Sequence, residues 1–242
     1  MNGESKDFSS VRALIFDLDG TLIDSKLDLA LAVNASLAHL GREPLPHEQV
    51  YGYVGHGAPM LIRRSLGAGP DRIGAGATEA EVDRALGFFL DYYRAHMLDN
   101  TRPYPGVREG LETLAAPDSI GAGWRMAVLT NKPERFSRAI LEGLGLARFF
   151  RYVYGGNSFD RKKPDPQGVE ILLRNFQVGA REAMIVGDSE IDVQTARNAG
   201  TWACGVTYGL GSEHLVDFPP DLLVDSLTDL PARLRAFRGA GR

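Results

Sequence analysis

Val11-Arg12-Ala13-Leu14-Ile15-Phe16-Asp17-Leu18-Asp19-Gly20-Thr21 is the stretch on which the reading of this chain turns. The first six residues are apolar but for Arg12, the composition of a strand buried on both faces of a parallel sheet. The run then stops on two carboxylates. Residues i and i+2 of an extended chain point the same way, so Asp17 and Asp19 are expected to face one small volume. Like charges held together raise one pKa or recruit a cation. Either outcome suggests chemistry at the end of this strand.

Beyond Thr21 the period changes from strand to helix. Ser25-Lys26-Leu27-Asp28 has the form of a capping box, and Ala30, Val33, Leu37 and Leu40 follow at helical spacing up to Gly41. Thr78-Glu79-Ala80-Glu81 is a second capping box, followed by the stripe Val82, Leu86, Phe89 and Tyr93. Between them lie Tyr51-Gly52-Tyr53-Val54-Gly55-His56-Gly57, a shorter helical stretch from Ala58 to Leu66, and a flexible Gly67–Ala77 segment. No convincing strand is expected between about 23 and 101.

From Pro103 strand and helix alternate. Helices are expected from Pro105 to about Ala115, from Pro133 to Leu146, over Gln167–Phe176 and over Glu190–Asn198. Strands are expected at Trp124–Leu129, Tyr152–Tyr154, Met184–Val186, Thr201–Val206 and Leu222–Val224. Three of the later strands lead into polar stops: Thr130-Asn131-Lys132-Pro133, the loop Arg161-Lys162-Lys163-Pro164-Asp165-Pro166 after the short Tyr152–Tyr154 strand, and Gly187-Asp188-Ser189. The expected fold is α/β, a doubly wound parallel-sheet (Rossmann-like) core over 1–22 and 103–242. A smaller α-helical cap domain, 23–102, is inserted after the first strand. In such sheets ligands bind beyond the carboxyl ends of the strands, where the unusual residues lie. An insert with both ends beside the site can act as a lid on two hinge strands.

Composition narrows the function classes. The 242 residues are 44% apolar and 24% charged, ordinary for a globular protein, and the net charge is −4. That charge argues against a nucleic-acid or anionic-membrane binder. Arg233, Arg235, Arg238 and Arg242 form the one cationic cluster and read as a solvated helix end. Cys204 is the single cysteine, so no intramolecular disulfide can form; in Trp202-Ala203-Cys204-Gly205-Val206 it reads as a small buried hydrophobe. Met1–Ser10 lacks the apolar core of a signal peptide, and no stretch reaches the ~20 apolar residues of a membrane span. A cytoplasmic protein, monomer or homodimer, is expected.

Suppose the strand ends handle phosphate. Asp17 can attack phosphorus and form an acyl phosphate. Carboxylate and phosphate repel, so Mg²⁺ is the expected cofactor, held by Asp17, Asp188 and a backbone carbonyl near Asp19. Lys163 offsets the substrate's charge, and Thr130, with Asn131 beside it, can hold phosphoryl oxygens. The Asp19 carboxyl protonates the leaving oxygen and later takes a proton from water. Thr21, Ser189 and Asp192 are expected to stand behind these groups, Asp192 orienting Lys163 or a metal-bound water. Each piece alone has a plain alternative: turn formers at Thr130–Asn131, a solvated loop at Lys162–Lys163, helix caps at Asp188 or Ser189, a dipole-favoured acid at Asp192. Four such stops at the ends of strands in one sheet are hard to explain as unrelated turns. His39, His47, His96 and His214 read as structural or solvated. His56, flanked by glycines, is either a cap turn or a point of close backbone approach.

The four segments resemble the motifs of the haloacid dehalogenase superfamily, specifically its phosphatases with a helical cap after the first motif. Asp17-Leu18-Asp19-Gly20-Thr21 is similar to the first, Thr130 to the second, Lys163-Pro164 to the third, and Gly187-Asp188-Ser189-Glu190-Ile191-Asp192 to the fourth. The resemblance implies Asp17 as nucleophile, Asp19 as general acid/base, Thr130 and Lys163 as phosphate binders, and Asp17, Asp19 and Asp188 as the Mg²⁺ site. It also argues against dehalogenation, whose enzymes lack the second aspartate. Within the superfamily the chain is most similar to the phosphoglycolate phosphatases, through Thr130–Pro133, Val54–Gly57 and Lys163–Pro166, although that group often has Asn where His56 stands. The implied partner is a small phosphorylated metabolite, with 2-phosphoglycolate foremost and with His56 and Arg63 meeting its carboxylate. The other readings are a phosphomutase like β-phosphoglucomutase, a pyrophosphatase, or, from a different class, a phosphoaspartate signalling module. Such modules are shorter and have no helical insert.

Overall fold

The computed structural model describes residues 6–67, 77–117 and 123–239. Most of the segment expected to be flexible at Gly67–Ala77, the start of the polar N-terminus and Arg242 of the basic tail lie outside the described residues. In chain order come β1 (Ala13–Phe16), a two-residue strand β2 (Ile23–Asp24), and four helices, α1 (Lys26–His39), α2 (His47–Tyr51), α3 (Ala58–Ser65) and α4 (Glu79–His96). The chain returns through β3 (Arg102–Pro103). It then alternates α5 (Val107–Ala115), β4 (Arg125–Leu129), α6 (Glu134–Gly143), β5 (Tyr152–Tyr154), α7 (Gln167–Phe176), β6 (Ala183–Gly187), α8 (Glu190–Ala199), β7 (Trp202–Val206), β8 (Leu222–Val224) and α9 (Asp229–Gly239).

Six strands make one sheet in the order β5-β4-β1-β6-β7-β8, and every pair in it is parallel. β1 is central because all four of its residues are apolar and fully buried. Its side chains alternate: Leu14 and Phe16 join the core on one face, Ala13 and Ile15 the core on the other. The chain runs outward from β1 through β4 to β5, then crosses to β6 on the far side of β1. That reversal opens a crevice above the end of β1, the place where doubly wound sheets bind ligands. Asp17 stands there, its N–H donating to Val186 O at 2.9 Å as the last rung of the β1–β6 ladder.

The helical layer covers this crevice. α1 packs on α2 and α4, and α3 on α4. Phe89 and Tyr93 of α4 are buried, and Tyr93 meets Phe136 of α6 edge-on at 5.5 Å. The box at Thr78 forms as the sequence predicts, with Thr78 Oγ1 accepting from Glu81 N–H and Glu81 Oε2 accepting from Thr78 N–H.

Three expectations differ from the structure. The box at Ser25 does not form: Ser25 Oγ instead donates to Asp19 Oδ1 at 2.5 Å. Asp28 faces the returning chain and accepts from Asn100 N–H, Asn100 Nδ2, Thr101 N–H and Thr101 Oγ1 at 2.7–3.1 Å. The stretch read as strandless begins and ends on an antiparallel ribbon, Ile23 paired with Pro103 and Asp24 with Arg102. Two residues per strand are too few for a period of two to show in sequence. The helix expected to reach Leu146 ends at Gly143, because Gly145 takes a left-handed conformation (φ 67°) and Leu146 N–H closes back onto Leu141 O at 2.8 Å. Among the described residues no helix is long and apolar enough to cross a membrane. Cys204 is buried in β7, and its thiol is pushed up to about 12 by burial.

Candidate active site

The floor of the crevice is made of strand ends. Asp17 follows β1, Thr130 to Lys132 follow β4, and Asp188 follows β6. Lys163 arrives on the loop before α7 and is buried with its ammonium 2.9 Å from Asp17 Oδ1 and 2.6 Å from Asp192 Oδ1. Burial alone would pull this ammonium down; Asp17 and Asp192 together overcome it and hold the group above the ordinary lysine value. Asp192 also closes the capping box of α8, its Oδ2 accepting from Ser189 N–H and Ser189 Oγ at 3.2 and 2.8 Å. Asp192 therefore holds Lys163 in place while its other oxygen caps a helix.

Asp188 is held from two sides. Thr21 Oγ1 donates to its Oδ1 at 2.9 Å, and Gly211 N–H donates to its Oδ2 at 3.0 Å. The turn that brings Thr21 there needs a glycine at position 20: φ is +86°, and a Cβ would overlap the Asp188 carboxylate. Tyr208 Oη donates to Thr21 O at 2.9 Å and backs the turn.

Asp19 faces the same volume as Asp17 but has different partners. Lys132 Nζ lies 3.1 and 3.2 Å from its two oxygens, alongside the bond from Ser25. Lys132 is buried, with its ammonium over the Tyr93 ring, 4.6 Å from the centroid. Burial opposes its charge, and Asp19 more than compensates, holding it above its ordinary value.

Among the described residues four carboxyl groups, Asp17, Asp19, Asp188 and Asp192, have two ammonium groups paired with them, Lys132 and Lys163. Burial raises Asp17 above the usual carboxylate range against the pull of Lys163. Burial raises Asp188 as well, with Asp192 and Asp17 adding to it. At an effective dielectric constant of about 20, like charges 4 Å apart repel by about 4 kcal/mol. Ligand atoms of Asp17, Asp188 and Asp192 lie within 4.8 Å of one another. Lys163 and Ser189 already take both oxygens of Asp192. Asp17 Oδ1 is buried, with Lys163 Nζ at 2.9 Å as its partner. Two carboxylates side by side, Asp188 being held by Thr21 and Gly211 and by no ammonium among the described residues, are a donor set suited to a hard divalent cation.

The roof is the loop 51–57 and the start of α3. A cavity of about 390 Å³ separates it from the floor, with Asp17, Asp19 and Asp188 below, Tyr53, His56 and Arg64 above, and Glu213 and His214 at the side. Asn131 Nδ2 donates to Gly55 O at 3.0 Å and to Lys163 O at 3.1 Å, tying roof to floor. Lys162 Nζ donates to His56 O at 2.6 Å. Gly57, in a left-handed conformation (φ 85°), lets α3 start where a Cβ would stand 2.9 Å from Asn131 O. Burial, followed by the charge of Arg64, lowers His56 below the ordinary imidazole value, so the ring is neutral at neutral pH.

Asp17 and Asp19 line both this cavity and a smaller one beside it; Asp188 and His56 border the first, Thr130 and Asn131 the second, Lys163 reaches the site through Asp17, and Thr21, Ser189 and Asp192 support these groups. The structure does not bring Arg63 there. That guanidinium is doubly hydrogen-bonded to Glu79 at the protein surface, and its neighbour Arg64 lines the cavity instead. On a helix, adjacent residues point about 100° apart, so a one-residue error in phase exchanges the two. Thr130 N–H is spent on Tyr154 O in the β4–β5 ladder, and its hydroxyl accepts from Lys132 N–H at 3.3 Å and keeps its own O–H to donate to a ligand. Asn131 is engaged as the roof tie described above. Residues at the site with no role there expected from sequence include Lys132, in a run that reads as a turn, Arg64, and His214, which reads as solvated and stands at the cavity rim.

Comparison with known proteins identifies the family. The sequence model of the haloacid dehalogenase-like hydrolases matches residues 14–206. The phosphoglycolate phosphatase of Pseudomonas putida is 41% identical over 220 residues, covering 90% of this chain and 78% of that protein. That of Vibrio parahaemolyticus is 39% identical over 221 residues, covering 91% of this chain and 94% of that protein. The crystal structure of a predicted phosphoglycolate phosphatase from Haemophilus somnus 129pt superposes with a TM-score of 0.84 at 31% identity, covering 93% of this chain and 98% of that one.

Proposed function

The chain belongs to the haloacid dehalogenase-like hydrolases, and we propose that it hydrolyses a small phosphomonoester through a phosphoryl group carried on Asp17, with 2-phosphoglycolate as substrate and Mg²⁺ as cofactor. The observation that carries this reading is the floor: Asp17, Asp188 and Asp192 bring carboxylate oxygens within 4.8 Å of one another, with Lys163 paired to Asp17 and Asp192 and no ammonium paired to Asp188 among the described residues.

Asp17 and Asp188 would hold Mg²⁺, with the backbone carbonyl of Asp19 beside them. Bound there, the cation supplies positive charge that lets an anionic phosphate approach a carboxylate and steadies charge in the transition state. Lys163 and the Thr130 hydroxyl bind phosphoryl oxygens, and Asp192 keeps Lys163 aimed. Asp17 attacks phosphorus and the ester oxygen leaves, taking the proton that Asp19 gives it. Asp19 then accepts a proton from the water that attacks phosphorus, the Asp17–phosphate bond breaks, and inorganic phosphate departs. Residues 23–102 act as the cap over the core formed by 1–22 and 103–242, with the β2–β3 ribbon as its stem. The similarity to the phosphoglycolate phosphatases of Pseudomonas putida and Vibrio parahaemolyticus supports the choice of phosphoglycolate.

The test is phosphate release from a panel of small phosphoesters with and without Mg²⁺, run beside Asp17→Asn. We expect Mg²⁺-dependent turnover, fastest on 2-phosphoglycolate, and a loss of at least about 10³-fold in the variant. No turnover of any ester by the unmutated protein would refute the reading.

A further inference from the structure

A second cavity, of about 40 Å³, lies under the helical layer beside the main one. At about 10–15 Å³ per water-sized group it has room for three or four, the size of a carboxymethyl group. Asp17, Asp19 and Thr130 border it on the phosphoryl side, and Leu29, Leu61, Phe89 and Phe136 wall it with apolar surface. Three further polar side chains border it: Asn131, whose amide nitrogen is spent on Gly55 O and Lys163 O, and Lys132 and Tyr93. Tyr93 is 1% exposed, and its hydroxyl makes no well-aligned hydrogen bond, with the Lys132 ammonium beside it 4.6 Å from the ring centroid. A buried hydroxyl left without a well-aligned hydrogen bond costs up to about 1–3 kcal/mol. A buried ammonium in apolar surroundings likewise needs a second anionic or polar partner on the side Asp19 does not cover.

We propose that Lys132 and the Tyr93 hydroxyl form the recognition point for a carboxylate on the leaving group, one carbon from the ester oxygen. This rests on the phosphatase reading above and adds to it the residues that select the leaving group. A phosphate seated at Asp17, Thr130 and Lys163 places its ester oxygen toward Asp19, and this small cavity is the apolar space that opens beside Asp19. Its walls reject a larger or second charged group by desolvation, while Lys132 and Tyr93 together satisfy one carboxylate. Lys132 thereby touches both ends of the chemistry, the proton donor Asp19 and the group that departs. His56, neutral and on the roof of the outer cavity, is a poorer partner for an anion, and Arg63 is turned away to Glu79.

The experiment compares 2-phosphoglycolate with ethyl phosphate, which replaces the carboxylate by a methyl group, on the full chain with Mg²⁺. Four proteins are assayed: unmutated, Lys132→Met, Tyr93→Phe and His56→Gln. The unmutated protein is expected to prefer phosphoglycolate in kcat/KM. Lys132→Met should reduce that preference by about 30-fold or more, mainly through KM for phosphoglycolate. Tyr93→Phe, which removes a single oxygen and guards against misfolding of the lysine variant, should reduce it by about 3–10-fold. His56→Gln should change it less than either. Glycolate should inhibit the unmutated protein more strongly than Tyr93→Phe. Equal losses on both esters would make Lys132 a support for Asp19 alone, and a preference retained in both variants, or held by His56, would overturn the proposal. An unmutated protein that turns over the two esters equally would also overturn it. Hydrolysis of neither ester would instead fail the phosphatase reading beneath it.

Discussion

Three of the four carboxylates on the floor of the cavity are held from two sides by side-chain or backbone donors, whereas the loop above it is tied down through its own backbone carbonyls. Asp188 has Thr21 and Gly211, Asp192 has Lys163 and Ser189, and Asp19 has Lys132 and Ser25. The roof is reached by Asn131 and Lys162, which bond Gly55 O and His56 O. A bond to a carbonyl does not read the side chain that follows it. The floor is therefore specified atom by atom, as charge-handling chemistry requires. The roof is free to change its side chains, as a surface that chooses substrates requires.

The two lysines of one loop give the sharpest contrast. Lys163→Met leaves Asp17 and Asp192 buried without their cation and should lower stability by about 3–5 kcal/mol in chemical denaturation. Lys162→Met, one residue earlier and exposed, should cost under about 1 kcal/mol and show itself in KM. Similar losses from both would erase the distinction between floor and roof. Next in size is the response to metal. Mg²⁺ at a hundred times its Kd should stabilise the protein by about 2.7 kcal/mol in thermal unfolding, and Asp188→Asn should remove most of that gain. A chelator should abolish turnover.

The roof predictions are smaller. Arg64→Ala should raise KM by about tenfold while Arg63→Ala leaves it within about twofold, since only Arg64 lines the cavity. The reverse result would return Arg63 to the site. The smallest effect is the pH dependence of His56. Its folded pKa lies below the ordinary 6.5, so the unfolded chain binds the proton more readily. The stability contributed by the neutral ring is present above pH 6.5 and is lost as pH falls through the lower, folded value. His56→Gln should flatten that part of the stability profile and leave the region above pH 7 unchanged.

Sequence showed most about the floor because strand ends combine two signals in few residues. An apolar run announces the strand, and the polar residue after it is anomalous unless it has work to do. Asp17, Thr130 and Asp188 could be read that way, and the order of strands and helices implied the sheet that gathers them. Lys132 offers no such anomaly, since Asn-Lys-Pro is ordinary turn composition and only the fold sets its ammonium against Asp19. Ser25 and Asp28 matched a local pattern that longer-range partners outcompeted: Asp19 for the serine, and Asn100 and Thr101 for the aspartate. Arg63 and Arg64 could not be told apart without knowing which side of α3 faces the crevice. Tyr93 had the spacing of a core residue and is one; that its hydroxyl makes no well-aligned hydrogen bond is visible only in three dimensions.

The central claim is that Asp17 carries the phosphoryl group. Acid quenching during turnover of 2-phosphoglycolate with Mg²⁺, followed by mass analysis of the peptide containing Asp17, reads this directly. The account predicts a peptide heavier by one phosphoryl group, with the label on Asp17, formed only while substrate remains and absent from Asp17→Asn. Steady phosphate release with Asp17 never labelled, or undiminished release by Asp17→Asn, would contradict it.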